Sequence, residues 1–194
     1  MSGSFDILIV GIGGQGTILA SNILGEACLI EGRHVKGAET HGMAQRGGSV
    51  ESHIRIDGLF GPLIPPGQGD LLISFDLLEA LRYSHFLKKE GKMIVNRHLV
   101  LPTSVFTNKL PAPTQDEIIE ALKKYTLCLL DADQMAEEAG SILSQNVVML
   151  GAASPSIPLR PESLIDAVKR LVPKKTVDVN VKAFEMGREF GGKC

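Results

Sequence analysis

The 194-residue sequence predicts an α/β fold, a single domain over residues 1–194 in which helices cover both faces of a mostly parallel sheet. Three observations predict it. Short apolar runs alternate along the chain with segments of helical periodicity. The first run, Ile7-Leu8-Ile9-Val10, leads into the turn Gly11-Ile12-Gly13-Gly14-Gln15-Gly16-Thr17 and then into a helical pattern, the opening of a Rossmann-like three-layer α/β/α domain. Ser49 to Ile56 instead alternates polar and apolar residues, so the sheet is expected to carry one antiparallel or half-open strand.

Taken in order, Phe5 to Val10 is a buried first strand. Gln15 to Glu31 is a helix, with Leu19, Ile23, Leu24, Ala27 and Ile30 on one face and Gly32 ending it. His34-Val35-Lys36 is a short second strand, followed by a Gly-rich polar segment through Gly48. In the strand Ser49 to Ile56, Val50, Ser52, Ile54 and Ile56 share one face. Ser49, Glu51, His53 and Arg55 share the other, which is expected to face solvent or a partner. Gly58 to Gly69 holds Pro62, Pro65 and Pro66 around Leu63 and Ile64, a loop with an apolar tip suited to a contact. Leu71 to Phe75 is a strand, and Asp76 with Glu79 forms a capping box on the next helix. Lys92 to Asn96 is a strand with a loop running on to Pro113. Thr114 with Glu117 is a second capping box, and Leu127 to Leu130 the last strand. Asp133 to Ala139, Asn146 to Ala153, a helix opened by Pro161, and Val177 to Phe190 complete the chain.

Composition narrows the function. Hydrophobic residues make up 44% and charged residues 22%, a globular profile. The net charge of −2, no Trp and two Tyr argue against a nucleic-acid partner. No basic segment followed by an apolar stretch opens the chain, and no apolar run approaches the ~18 residues of a membrane span. A cytoplasmic protein is therefore expected, with Cys28 and Cys128 as reduced core residues. The three cysteines form no CxxC cluster, so no iron–sulfur ligation is expected on this chain. The five histidines show neither i,i+4 pairing nor a neighbouring Cys, so no metal site is expected; Asp131 and Asp133 read as turn and cap residues.

In the glycine turn, Gly11, Gly13 and Gly16 satisfy G-x-G-x-x-G, with a strand before and a helix after. An NAD site calls for Asp or Glu about 20 residues on, to hold the ribose hydroxyls. This chain has Lys36 there, and the nearest acid, Glu39, lies beyond Gly37. A lysine suits a phosphate better than a diol. NADP, coenzyme A or a flavin phosphate are thus the candidate ligands of Gly11, Gly13, Gly14, Gln15, Gly16, Thr17 and Lys36. The plainer alternative is an empty turn kept for packing.

The run Ala38-Glu39-Thr40-His41-Gly42-Met43-Ala44-Gln45-Arg46-Gly47-Gly48-Ser49-Val50 resembles the gamma-type domain of the 2-oxoacid:ferredoxin oxidoreductases. The likeness spans nearly the whole chain. It includes the glycine turn, Pro62 to Pro66, Glu79-Ala80-Leu81-Arg82, and the closing Asn180, Ala183, Phe184 and Gly187. Arg46-Gly47-Gly48 is shared across that family, and His41-Gly42-Met43-Ala44-Gln45 is similar to its indolepyruvate branch. The resemblance implies a subunit of an enzyme that decarboxylates 2-oxoacids, here arylpyruvates, to acyl-coenzyme A and reduces ferredoxin. Thiamine diphosphate and iron–sulfur clusters would sit on a large (alpha) partner subunit, and ferredoxin would meet the complex. Alternatives are the gamma subunit of a pyruvate- or 2-oxoglutarate-specific homologue, a stand-alone NADP- or flavin-binding reductase, or a scaffolding subunit. Within the segment, Arg46 is a candidate bidentate clamp for carboxylate or phosphate, with Gly47 and Gly48 letting a ligand approach the backbone. His41 is a candidate proton relay or carboxylate donor, against a plain interface histidine. Gln45 and Gln15 are candidate amide contacts, and Met43 reads as packing.

Overall fold

A strand that is apolar on both faces has to be covered on both, and Ile7-Leu8-Ile9-Val10 is such a strand. The computed structural model, which describes residues 3–41, 48–108 and 111–194, puts it inside the sheet. The strands are β1 (Phe5–Ile12), β2 (Val35–His41), β3 (Ser49–Ile56), β4 (Gly69–Ser74), β5 (Leu87–Asn96) and β6 (Thr126–Leu130). Their order is β2-β3-β1-β4-β5-β6. The pairs β1–β4, β4–β5 and β5–β6 are parallel, and β3 runs antiparallel to both β1 and β2.

Alternation along β1 divides the core in two. Ile7 and Ile9 pack with α1 (Thr17–Ile30), α5 (Ala132–Ala139), α6 (Gln145–Ala153), α7 (Pro161–Leu171) and α8 (Val177–Gly191). Leu8 and Val10 pack on the other side with α2 (Leu77–Tyr83) and α4 (Gln115–Leu122). All four β1 side chains are fully buried, each stabilising the fold by about 1.5–3 kcal/mol. The three-layer α/β/α architecture expected from the sequence is therefore present, with β3 as its antiparallel strand.

Four local expectations change. β2 reaches His41 rather than stopping at Lys36, because β3 pairs with it along its whole length despite the weak strand formers Gly37, Ala38 and Glu39. A short helix, α3 (Thr103–Thr107), interrupts the loop after β5. The polar face of β3 is covered, not open: His53 is 2% exposed and its Nδ1 accepts the Ile64 N–H at 3.1 Å. Ile64 thereby leaves the expected apolar tip and enters the core, while Leu59, Phe60 and Leu63 stay 87%, 75% and 60% exposed.

The fourth change concerns the cysteines. Cys28 is buried and free, and burial pushes its thiol up to about 12, which keeps it unreactive. Cys128 is not a reduced core residue: α8 brings the chain end back to β6, and Cys194 forms a disulfide with Cys128 across a Cα–Cα distance of 5.5 Å. Sixty-six residues separate the pair, so spacing alone gives no sign of it.

Candidate functional site

β1 ends where the glycines begin. The Gly13 N–H donates to the Gly48 carbonyl at 2.9 Å, so the turn and the segment leading into β3 are tied together. Gly14 and Gly16 have φ of 107° and 80°, a region L side chains avoid. A Cβ on Gly16 would also lie 2.7 Å from Asn146 Nδ2, and one on Gly11 would lie 2.7 Å from Gln15 Oε1. Gly16 is thus favoured mainly by its positive φ, and Gly11 by crowding from Gln15, Thr17 and Phe75. A Cβ on Gly14 would meet nothing within 4 Å, so the open space of the turn lies there. The Gln15 side chain closes the turn from below: its Oε1 accepts the Ile12 N–H at 2.7 Å and its Nε2 donates to the Phe75 carbonyl at 3.4 Å. Thr17 is buried at the first position of α1. Gly16 caps α1 without a side-chain bond, and the first turn holds no acid. That leaves a positive helix end two residues after Gly14 in the chain, suited to a phosphate or carboxylate.

Topology adds a second reason to look here. α1 leaves β1 toward one face, α2 leaves the neighbouring β4 toward the other, and such a divergence opens a crevice at the strands' carboxyl ends. Side chains stitch its rim. Asn96, at the end of β5, takes the Ala132 N–H at 2.9 Å, and Asn146 reaches the Gly16 carbonyl at 3.4 Å. His98 Nδ1 lies 2.7 Å from Asp133 Oδ2, and Gln145 Nε2 donates to the other carboxylate oxygen. The sequence reading missed Asn96, His98 and Asn146 as site residues and took Asp133 for a cap. The available signal was their position just beyond apolar strand runs or at a helix start, where α/β folds present ligand-facing groups.

Lys36 is not at this site. It shares a ladder rung with Arg55 and Asp6, whereas Gly11 shares one with Val50 and His41. Five rungs separate the two, roughly 17 Å. Lys36 instead donates to the carbonyls of Leu59 and Phe60 at 3.1 and 2.8 Å. Its assignment as a phosphate ligand is thereby corrected, and the support it lent to NADP goes with it. The backbone of His41, in contrast, ends β2 level with the turn. Gln45, Arg46 and Gly47 lie outside the described residues.

Beneath Gly48 is a buried acid network. Ser49 Oγ donates to Glu79 and lies 3.1 Å from the Tyr83 hydroxyl, and Arg82 pairs with Glu79 at 3.0 Å. Asp76 accepts from Leu78, Glu79 and Val100 N–H groups as the cap of α2. Glu79 is thus held by Ser49 and Arg82, and the capping box expected there reduces to Asp76 alone. Burial raises the carboxyl pKa of both acids and lowers that of His53. Thr114 and Glu117, in contrast, form the full reciprocal box on α4. Among the described residues no group of three His, Cys, Asp or Glu side chains is placed to hold a metal, and no helix is long and apolar enough to cross a membrane.

Known proteins share the architecture of this chain. A family described as "Pyruvate ferredoxin/flavodoxin oxidoreductase" matches residues 6–190. The chain is 43% identical to the indolepyruvate oxidoreductase subunit IorB of Archaeoglobus fulgidus, over 94% of this chain and 92% of that one. To the pyruvate/ketoisovalerate oxidoreductases common subunit gamma of Pyrococcus furiosus it is 31% identical, over 89% of each. Among solved structures, the keto/oxoacid ferredoxin oxidoreductase gamma subunit from Geobacter sulfurreducens superposes with a TM-score of 0.73 at 28% identity, covering 98% of this chain and 99% of that one.

Proposed function

The chain belongs to the pyruvate ferredoxin/flavodoxin oxidoreductase family, and from that premise we propose that it is the small subunit of an indolepyruvate:ferredoxin oxidoreductase. The enzyme would convert an arylpyruvate to acyl-coenzyme A, CO2 and reduced ferredoxin. One observation carries this choice of branch: chain-long identity is 43% to a relative named for indolepyruvate and 31% to one named for pyruvate and ketoisovalerate.

The chemistry divides between two chains. Three cysteines, two of them joined to each other, do not supply a cluster's four thiolates, so we assign the iron–sulfur centres to the large subunit. Thiamine diphosphate is held through a divalent cation, and we assign it to the large subunit as well. What the residues here fit is an anionic acceptor. The open space at Gly14 and the uncapped α1 end suit the diphosphate of coenzyme A, with Arg46 as a second clamp.

Leu59, Phe60 and Leu63 are the surface we assign to the large subunit. Lys36 holds the loop carbonyls of Leu59 and Phe60, and Arg55, itself paired with Asp6, holds that of Gly61 at 2.9 Å. The three apolar side chains are therefore presented on a pinned backbone, which lowers the entropy lost on docking.

Reconstitution tests the reading. The chain alone is inactive toward oxoacids, and activity appears on mixing with the large subunit. In that complex Arg46→Ala raises the coenzyme A or oxoacid concentration needed for half-maximal rate, with an unchanged melting temperature. Unaltered kinetics remove Arg46 from the clamp.

A further inference from the structure

We propose that His98 is the general base of this crevice, taking the proton from the thiol of the acyl acceptor; the assignment rests on the function proposed above. The argument starts from the tautomer. A carboxylate only accepts, and Gln145 already donates to one Asp133 oxygen. The proton between His98 and the other Asp133 oxygen, 2.7 Å away, therefore belongs to Nδ1. In its neutral form an imidazole fixed in this way carries a lone pair on Nε2, which has no hydrogen-bond partner among the described residues. Nε2 can accept a proton but cannot donate to a phosphate oxygen. The side chain is 38% exposed, so a proton-bearing group of the ligand can reach that lone pair, and the acceptor thiol of this reaction has to lose its proton.

Position agrees with that role. His98 follows the carboxyl end of β5, two strand spacings or about 10 Å from β1 and its glycine turn. The flexible arm of a coenzyme A anchored by its diphosphate can return its thiol over that distance. The His98 backbone is fixed, since its carbonyl accepts the Leu77 N–H at 2.7 Å and the nearby Val100 N–H is held by Asp76. The charged groups shown to interact with the ring are Asp133 from α5 and Asp76 from the cap of α2. In the step, the S–H bond breaks and an N–H bond forms on Nε2. The new positive charge lies against the Asp133 carboxylate, the electron pair stays on sulfur, and no oxidant or reductant is consumed.

The test uses the reconstituted complex with coenzyme A as the varied substrate. His98→Gln, which packs in the same space but takes no proton, lowers kcat about a hundredfold near neutral pH with little change in the KM for coenzyme A. The deficit shrinks as the pH rises toward about 8.5, where an ordinary thiol ionises unaided. Asp133→Asn shows the same pH-dependent deficit at smaller size, and both variants keep the wild-type melting temperature. A deficit that stays constant with pH, or rates equal to wild type, overturns the proposal and leaves His98 a structural pair. Should the wild-type complex make no acyl-coenzyme A, the parent reading falls first and this one with it.

Discussion

His53 shows how one side chain can be read in opposite ways. In the sequence it belongs to the polar stripe of Ser49–Ile56 and is expected outside; in the fold it is buried and holds the Ile64 N–H. What the stripe pattern lacks is the long-range event, the proline loop folding back over it. Burial lowers the His53 pKa, with Glu51 opposing. The unfolded chain therefore binds a proton that the native one refuses, and stability falls as pH drops below about 6.5 toward the lowered native value, by up to about 1.4 kcal/mol per pH unit. Protonation of Nδ1 would also remove the acceptor of the Ile64 N–H. His53→Asn keeps an acceptor near that point and removes the titration. Thermal melts between pH 7 and 5 are expected to show a shallower decline for the variant than for wild type. Parallel curves would mean that folding leaves the titration of His53 unchanged.

At the scale of elements, periodicity located most strands and helices, because burial on a sheet or helix face writes itself into neighbouring residues. It failed where distant pairing decides. β2 borrows its strand conformation from β3, and the added first half of β5, Leu87 to Gly91, is polar and pairs with β4 through a register shift. The small-residue helix Asn146–Ala153 was legible as a close-packing element, and its partner is α8. A Cβ on Gly151 would lie 2.1 Å from the Phe184 carbonyl oxygen, and one on Gly187 would lie 2.1 Å from that of Val148. The two backbones touch, and neither can give way as a flexible side chain would. Gly187→Ala gains about 1 kcal/mol of helix propensity but forces the helices apart. A net loss of about 2 kcal/mol or more is expected from urea unfolding, and a neutral or stabilising result would show that α8 can slide.

Across the whole molecule, the glycine turn was legible because its chemistry is local, whereas the partners it meets were not. Asn146 stands 130 residues from Gly16, and His98 and Asp133 meet only after β5 and β6 pair. Lys36 failed for the complementary reason: residue spacing measured distance along the chain, while the sheet put it at the opposite end from the turn. That opposition has a consequence. The loop bearing Leu59, Phe60 and Leu63 is pinned at the Lys36 end, and the crevice opens at the Gly11 end, roughly 17 Å away along the strands. Changes that far apart with no shared contacts act independently. Phe60→Ser with Leu63→Ser is therefore expected to weaken binding of the large subunit by at least tenfold while leaving the melting temperature of the free chain unaltered, since both side chains are already solvent-exposed. With the large subunit in excess, kcat and the KM for coenzyme A should return to wild-type values. Arg46→Ala should do the reverse, keeping assembly and losing turnover efficiency. Titrating activity against large-subunit concentration separates the two, and a loop variant whose turnover stays low at saturating partner would show that the loop enters the reaction site itself.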